Sequence, residues 1–118
     1  MKQPIKTDEL MERVSGNVEF IDLMMNTFFN SREERLSAIH RAYEERNYDE
    51  LADLAHKLKG VVGNLSITKA FEILKELHVE ARLKNDRRIS RLIGQLEKSI
   101  LEAESFFKTN PIFKPQKH

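Results

Sequence analysis

The chain has 118 residues, which suits one domain, and its 40% hydrophobic composition is enough for a single core. Its 20 basic side chains balance 19 acidic ones, so the net charge of +1 gives no bulk electrostatic reason to expect nucleic-acid binding. The lack of cysteine excludes a disulfide scaffold and a thiolate metal site. No long apolar run or signal-peptide pattern occurs either. We therefore expect a single cytoplasmic domain over residues 1–118 with no membrane contact.

Apolar residues recur at helical spacing through nearly the whole chain, so we predict an all-α protein. Thr7 is expected to cap a short helix over residues 7–14, and Asn17 to cap a long helix over residues 18–46. The apolar stripe of the long helix keeps one phase beyond Asn30–Ser31, which indicates one helix that can kink at that point. Its inward positions are Ile21, Met25, Phe28, Leu36, Ile39 and Tyr43.

Three more helices follow at short intervals. The central one is predicted over residues 48–65, Ser66 is expected to cap the next over residues 67–83, and the last is predicted over residues 87–107. The proline-containing segment 108–118 is expected to be a flexible tail. The inward positions of these helices are Leu51, Ala55, Leu58, Val62 and Leu65, then Ala70, Leu74, Leu77 and Ala81, and finally Ile89, Ile93, Leu96, Ile100, Ala103 and Phe107.

Long amphipathic helices with short connections predict an up-down-up-down antiparallel four-helix bundle over residues 18–107. The short helix over residues 7–14 is expected to lie on the bundle as a lid. We expect one core that contains Leu51, Ala55, Leu58, Val62, Ile93, Leu96 and Ile100.

A second stripe of the central helix contains His56, well over a quarter-turn from the core stripe, together with Ala52, Lys59, Gly60 and Gly63. A glycine inside a helix costs about 1 kcal/mol relative to alanine, so two glycines beside an exposed imidazole indicate that a partner's surface comes close. His56 and Lys59, three residues apart, can both contact one small anion. The ordinary alternatives are a merely solvated histidine, a packing role for Gly60 and a helix stop at Gly63.

The segment Ala55-His56-Lys57-Leu58-Lys59-Gly60, followed by Gly63-Asn64-Leu65, resembles the signature of the histidine-containing phosphotransfer (HPt) domains of phosphorelays. The likeness covers roughly residues 8–107. It implies that His56 accepts a phosphoryl group from a receiver-domain aspartate and passes it to another response-regulator aspartate, with Lys59 offsetting the new charge. One departure is Ser66, because the family usually has glycine at that position.

The resemblance also implies the partners, which are the receiver domains of a hybrid histidine kinase and of a response regulator. We expect no cofactor on this chain, Mg²⁺ on the receiver domain, and a monomer. The chain has no P-loop or other nucleotide fingerprint, so it is expected to be a phosphoryl carrier rather than a self-contained kinase.

His78 stands 22 residues after His56, at a position where the family commonly has a glutamine that hydrogen-bonds the active imidazole. An antiparallel hairpin places it opposite His56. Two interpretations stay open. His78 either orients the ring of His56 through a hydrogen bond, or it is a core-edge histidine bonded to water or backbone.

A partner surface is predicted on the helix over residues 18–46, where four residues fall largely off the core stripe: Phe20, Leu23, Met24 and Thr27. A receiver helix would dock there beside His56. The alternative is that the short helix over residues 7–14 covers these side chains.

Two other functions are alternatives to the phosphorelay carrier, and one residue pair could in principle hold a metal. A helical adaptor could bind a partner through the same face without phosphoryl chemistry. A hydrolase with His56 as general base lacks an evident second catalytic group. His40 and Glu44, four residues apart, could hold a metal in principle, although a solvated pair is the simpler interpretation.

Overall fold

The computed structural model describes residues 3–114, and within this range every regular element is a helix and no strand occurs. The elements are α1 (Thr7–Arg13), α2 (Val18–Asn30), α3 (Arg32–Glu44), α4 (Tyr48–Asn64), α5 (Thr68–Arg82), α6 (Asp86–Thr109) and a 3₁₀ turn (Pro111–Phe113). The all-α prediction is therefore confirmed. No helix in the described part of the chain is long and apolar enough to cross a membrane.

Four helices form the bundle. α3 packs against α4 and α6, and α5 packs against the same two helices, so the four close into a ring. Three residues separate each of these helices from the next, and such short connections reverse the chain direction. The seven side chains predicted to share one core are all buried, none more than 3% exposed. Burial of this apolar surface is the main term that stabilises the bundle.

The predicted long helix over residues 18–46 is instead two helices, α2 and α3, which meet at Ser31. The Ser31 hydroxyl donates to the Phe28 carbonyl at 2.8 Å, and the Ser31 N–H donates to the same oxygen at 3.0 Å. A serine side chain that bonds a nearby backbone carbonyl competes with the regular helical ladder, which explains the break. The position of the irregularity matches the predicted kink.

The caps of two helices differ from the prediction. α1 begins at Thr7, and Lys6 holds its cap position without a side-chain hydrogen bond, so Thr7 is not the cap. α5 begins at Thr68 with Ile67 at its cap position, so Ser66 is not the cap either. Asn17 does cap α2, because its side chain accepts from the Phe20 N–H.

Ser66 has a different role, which follows from its backbone. Its φ is +56°, a left-handed conformation that glycine adopts most easily, and Arg46 and Lys84 have the same conformation in the other two bundle turns. The Ile67 N–H closes the turn on the Val62 carbonyl at 3.0 Å, as in a Schellman motif. This conformation accounts for the glycine that the resemblance leads one to expect at this position.

α1 packs on the α4–α5 turn and holds Ser66 in place. The Ser66 hydroxyl donates to Glu9 at 3.1 Å, and the Lys6 N–H donates to the Ser66 carbonyl at 2.9 Å. Arg13 donates to the Gly63 carbonyl at 2.8 Å and so satisfies a carbonyl at the end of α4. The short helix thus binds the end of the α4–α5 hairpin.

The other end of α4 is tied to the start of α6. The Tyr48 hydroxyl donates to the Asp86 carboxylate at 2.6 Å, and the Tyr43 hydroxyl donates to the Asp86 carbonyl at 3.1 Å. The first of these bonds, to the carboxylate, raises the pKa of Tyr48, because it stabilises the protonated phenol. α4 is therefore fixed at both ends.

The predicted flexible tail over residues 108–118 begins too early. α6 extends to Thr109, and Phe113 in the 3₁₀ turn is 1% exposed, with its ring centroid 5.4 Å from that of Phe107. The prediction relied on the two prolines of this segment and missed that Phe113, which lies between them, packs on the bundle. The last part of the predicted tail, residues 115–118, lies outside the described residues.

Candidate functional site

The local sequence fixes where α4 begins and which way it faces. The Asn47 side chain accepts from the Glu50 N–H at 3.2 Å, and Asp49 and Glu50 place negative charge in the first turn, where the helix dipole favours it. The core stripe faces inward. His56 follows the fully buried Ala55 by one residue, and this helical step of about 100° turns His56 to the surface, where it is exposed.

The next turn of α4 provides charge and space beside the imidazole. Lys59 is half-buried and takes part in no ion pair within residues 3–114, whereas Lys57 is bound to Asp53 at 2.9 Å. Gly60 is exposed, and a Cβ placed on it would meet no atom within 4 Å. The packing interpretation of Gly60 therefore has no support. An unpaired cation and an open surface lie within one turn of an exposed nitrogen nucleophile.

His78 of α5 lies next to His56, with the ring centroids 5.5 Å apart and the planes tilted by 50°. Its Nδ1 donates to the Ala52 carbonyl at 3.0 Å, and its Nε2 accepts a long bond from Arg82 Nε at 3.4 Å. This pattern assigns the neutral Nδ1–H tautomer, because the carbonyl can only accept and the guanidinium can only donate. Of the two interpretations of His78, the backbone-bonded one is found, and the rings are neighbours without a hydrogen bond between them.

Arg82 is a residue that the sequence prediction of the site did not include. It follows His78 by four residues, so the two side chains lie on the same face of α5. This spacing was the available signal. The spacing shows that Arg82 and His78 are neighbours on α5. It does not show that this face of α5 lies against His56, so the sequence alone could not assign Arg82 to the site.

Two residues predicted to face a partner lie against α5. Ala52 is 0% exposed, and its carbonyl is the acceptor for His78. A Cβ placed on Gly63 would lie 3.2 Å and 3.3 Å from two ring carbons of Phe71, so this glycine lets an aromatic ring approach the helix. Both stand on the side of the His56 stripe that α5 covers. The predicted partner-facing role of Ala52 is therefore wrong, whereas that of Gly63, which is half-buried, stays a prediction.

The apolar residues of α2 form an open surface. Leu23 is 64% exposed and Phe20 is 47% exposed, Thr27 is exposed and Met24 is half-buried. α1 does not cover them, so the alternative interpretation is excluded. We call these four residues the α2 patch. It continues into a groove of about 460 Å³ that is also lined by Val61 and Asn64 of α4.

The α2 patch and His56 lie on opposite sides of the exposed ridge of α4. Val61 borders the patch, and one helical step from Gly60 to Val61 turns toward α2, while His56 turns toward α5. Gly60 lies on the ridge between them and is exposed. A surface that contacts both the patch and His56 must therefore cross Gly60, where no side chain stands in its way.

His40 does not pair with Glu44. Its Nε2 lies 2.6 Å from a carboxylate oxygen of Glu97, across the interface between α3 and α6. The described residues contain no group of three or more His, Cys, Asp or Glu side chains that could hold a metal ion. His40 and Glu44 therefore lack the further ligands that a metal site needs.

The sequence matches the model of the Hpt domain family over residues 23–105. The chain belongs to the Hpt domain family. Hpt domains are histidine phosphotransfer carriers of phosphorelays, and they interact with receiver domains. No curated protein and no solved structure matches the chain in the corresponding comparisons.

The matched region of this Hpt domain begins inside α2 and ends inside α6. It contains the whole α4–α5 hairpin with His56, Lys59 and His78. α1 and the 3₁₀ turn lie outside it, although Leu10 of α1 and Phe113 of the turn are buried in the core. This Hpt domain therefore packs two further apolar segments onto the matched helices.

Proposed function

We propose that this Hpt domain accepts a phosphoryl group on a ring nitrogen of His56 from the phosphoaspartate of a receiver domain and passes it to the aspartate of another response regulator. The observation that carries this proposal is the exposed imidazole of His56 beside the unpaired Lys59 and the open Gly60. Within the matched region, no other histidine has this combination, since His40 is bound to Glu97 and His78 to the Ala52 carbonyl.

The chemistry requires little from this chain. A nitrogen lone pair of neutral His56 attacks phosphorus, the N–P bond forms, the P–O bond to the aspartyl carboxylate breaks, and the carboxylate leaves as an anion. The proton on the other ring nitrogen stays in place. Phosphoryl transfer depends mainly on positioning and charge stabilisation, so Lys59 offsets the charge on this side, while the receiver is expected to supply Mg²⁺ and its carboxylates.

The α2 patch supports a receiver as the docking partner. An apolar helix face of a receiver would cover Leu23, Phe20 and Met24, cross the ridge at Gly60 and bring its aspartate to His56. We expect the chain to act as a monomer in this complex, with one receiver bound at a time, because donor and acceptor receivers would use the same surface.

The test is phosphoryl transfer from a receiver charged with acetyl phosphate. The expected product is an acid-labile, base-stable phosphate on His56, located by mass spectrometry of the intact peptide, and its loss to a second, uncharged receiver. The open patch also suits an adaptor without phosphoryl chemistry. If the domain binds the charged receiver but takes up no phosphate, it is an adaptor, and the proposal that it is a phosphoryl carrier is overturned.

A further inference from the structure

The edge of α5 that borders the site is fixed by contacts at two levels. At one level His78 donates to the Ala52 carbonyl at 3.0 Å. At the other, Phe71 fills the space beside Gly63, within 3.2 Å of where a Cβ would stand. These contacts set the register of the two antiparallel helices. His56 lies on α4 between the two contacts, and the residue of α5 that lies between them on the same edge is Lys75.

Helical spacing places Lys75 on this edge. Phe71, Lys75, His78 and Arg82 follow one another at steps of four, three and four, which is one face of an α-helix. Phe71 and His78 contact α4 directly, and Arg82 bonds His78. Lys75 is exposed, so its flexible stem stays on the outer side of the α4–α5 groove, the side on which His56 is exposed.

The charge of Lys75 is not used elsewhere in the described part of the chain. It takes part in no ion pair there, whereas Lys69 on the same helix is bound to Glu102 at 3.5 Å. Glu76, the acidic residue next to it, turns to the other side of α5 and pairs with Arg88 of α6. Helical spacing and the register of the two helices therefore place a cation without an ion-pair partner in the described residues on the edge of α5 that borders the site.

Resting on the proposed function of His56, we propose that Lys75 is a second cation of the phosphoryl site. It contacts the phosphoryl oxygens of phosphorylated His56 from α5, while Lys59 contacts them from α4. Two cations on two helices bracket the anion, and the exposed groove leaves the phosphorus open to the next receiver. The stabilisation applies to the phosphorylated form alone, because neutral His56 has no charge for Lys75 to offset.

The test measures how a phosphoryl group partitions at equilibrium between a receiver and this domain. The variants are Lys75→Gln, Lys75→Arg and the control Lys98→Gln, which removes an equal charge from an exposed lysine of α6, a helix that packs against α3 and α5. Gln and Arg are good helix formers, so α5 keeps its structure. The partition constant is the equilibrium constant for phosphoryl transfer between the free receiver and the free domain. A change in the affinity of the domain for the receiver therefore alters how fast equilibrium is reached and not the constant.

Lys75→Gln is expected to shift the partition toward the receiver by about two- to fivefold, the size of an exposed ion pair, and to lose this effect at high salt. Lys75→Arg should restore the wild-type partition, and Lys98→Gln should equal wild type. Equal partition for Lys75→Gln and Lys98→Gln would overturn the role of Lys75 and leave His56 as the acceptor. A wild-type domain that takes up no phosphate would overturn the proposed function, and this inference with it.

Discussion

Two regions of the molecule contain a helical histidine near an open helical glycine, yet the charges around the two imidazoles differ. In the first, His56 and Gly60 lie on α4. In the second, His40 of α3 meets Glu97 of α6, one turn after Gly94. A Cβ on Gly60 or on Gly94 would meet nothing within 4 Å. Open space at the glycine is therefore common to both regions, although His56 is exposed and His40 is half-buried.

The difference lies in what surrounds the imidazole. The Nε2 of His40 lies 2.6 Å from a carboxylate, which occupies the nitrogen and would repel an incoming phosphoryl group. Lys59, three residues after His56, has no ion-pair partner in the described residues. The nearest ring, that of His78, uses both of its nitrogens in hydrogen bonds, one to the Ala52 carbonyl and one from Arg82. On the proposed function, the free nitrogen and the positive local charge are what distinguish His56 from His40 as a phosphoryl acceptor.

The largest effect is expected from removing each imidazole in turn. His56→Gln should reduce phosphate uptake from a charged receiver to background, because an amide is not a nucleophile, while circular dichroism should show an unchanged helical fold. His40→Gln is the matched control and should retain wild-type uptake. Uptake that survives in His56→Gln and disappears in His40→Gln would reverse the comparison between the two regions.

The two glycines give the next largest effect. Gly60→Leu should slow receiver-dependent phosphorylation by about tenfold or more, because the new side chain stands on the ridge that the receiver must cross. Gly94→Leu should leave the rate unchanged. Since leucine is the better helix former by about 1 kcal/mol and neither site is crowded, both variants should unfold at a higher temperature than wild type. A Gly60→Leu domain with an unimpaired rate would show that the receiver does not cross this ridge.

The α2 patch can be compared with an exposed leucine on the other side of the bundle. Met24→Glu should weaken receiver binding by about tenfold, or 1.4 kcal/mol, because docking would bury an unpaired carboxylate. Leu101→Glu on α6, where the leucine is 56% exposed, is the control and should bind normally. Titration calorimetry with an uncharged receiver measures both. Equal affinities for the two variants would remove the patch from the interface.

The sequence predicted those parts of the fold that depend on periodicity alone. The inward stripe of α4, from Leu51 to Val62, is buried because helical spacing determines which residues share a face. The same argument placed His56 at the surface. It could not separate Gly60 from Gly63, since both lie on one stripe and only the position of Phe71 on a neighbouring helix decides which of them is covered.

Two further errors, at Ser66 and at Phe113, depend on contacts that are distant in sequence. Serine is a good helix cap and also a residue that can adopt a left-handed turn, and nothing in the sequence around Ser66 shows that Glu9, 57 residues away, will bind its hydroxyl. Prolines usually end a helix, but they do not show that Phe113 returns to the core. In each case the deciding contact is distant in sequence, so a local pattern could not reveal it.

The smallest effect on phosphate uptake is expected from replacing a carboxylate that joins α3 to α6, as Glu97 does through His40. Glu104 lies on the same α3–α6 interface, bonded to Arg32 and 3.3 Å from Lys108. Burial by itself would raise the pKa of Glu104, but the hydrogen bonds and charges of Arg32 and Lys108 outweigh it, and the pKa is lowered from its ordinary value. Glu102, two residues earlier, pairs with Lys69 in a more exposed position and serves as the control.

Because the pKa of Glu104 is lower in the folded state than in the unfolded chain, its stabilising contribution is complete above the ordinary value of 4.5 and is lost as pH falls through the folded pKa. Glu104→Gln should therefore lower the unfolding midpoint at pH 7, and its difference from wild type should shrink in acid below that value. Glu102→Gln should change the midpoint less. Phosphate uptake at pH 7, measured well below the melting temperature, should equal wild type for both variants. A loss of uptake in Glu104→Gln with the fold intact would show that the α3–α6 interface affects the His56 site. The two regions would then not be independent of each other in function.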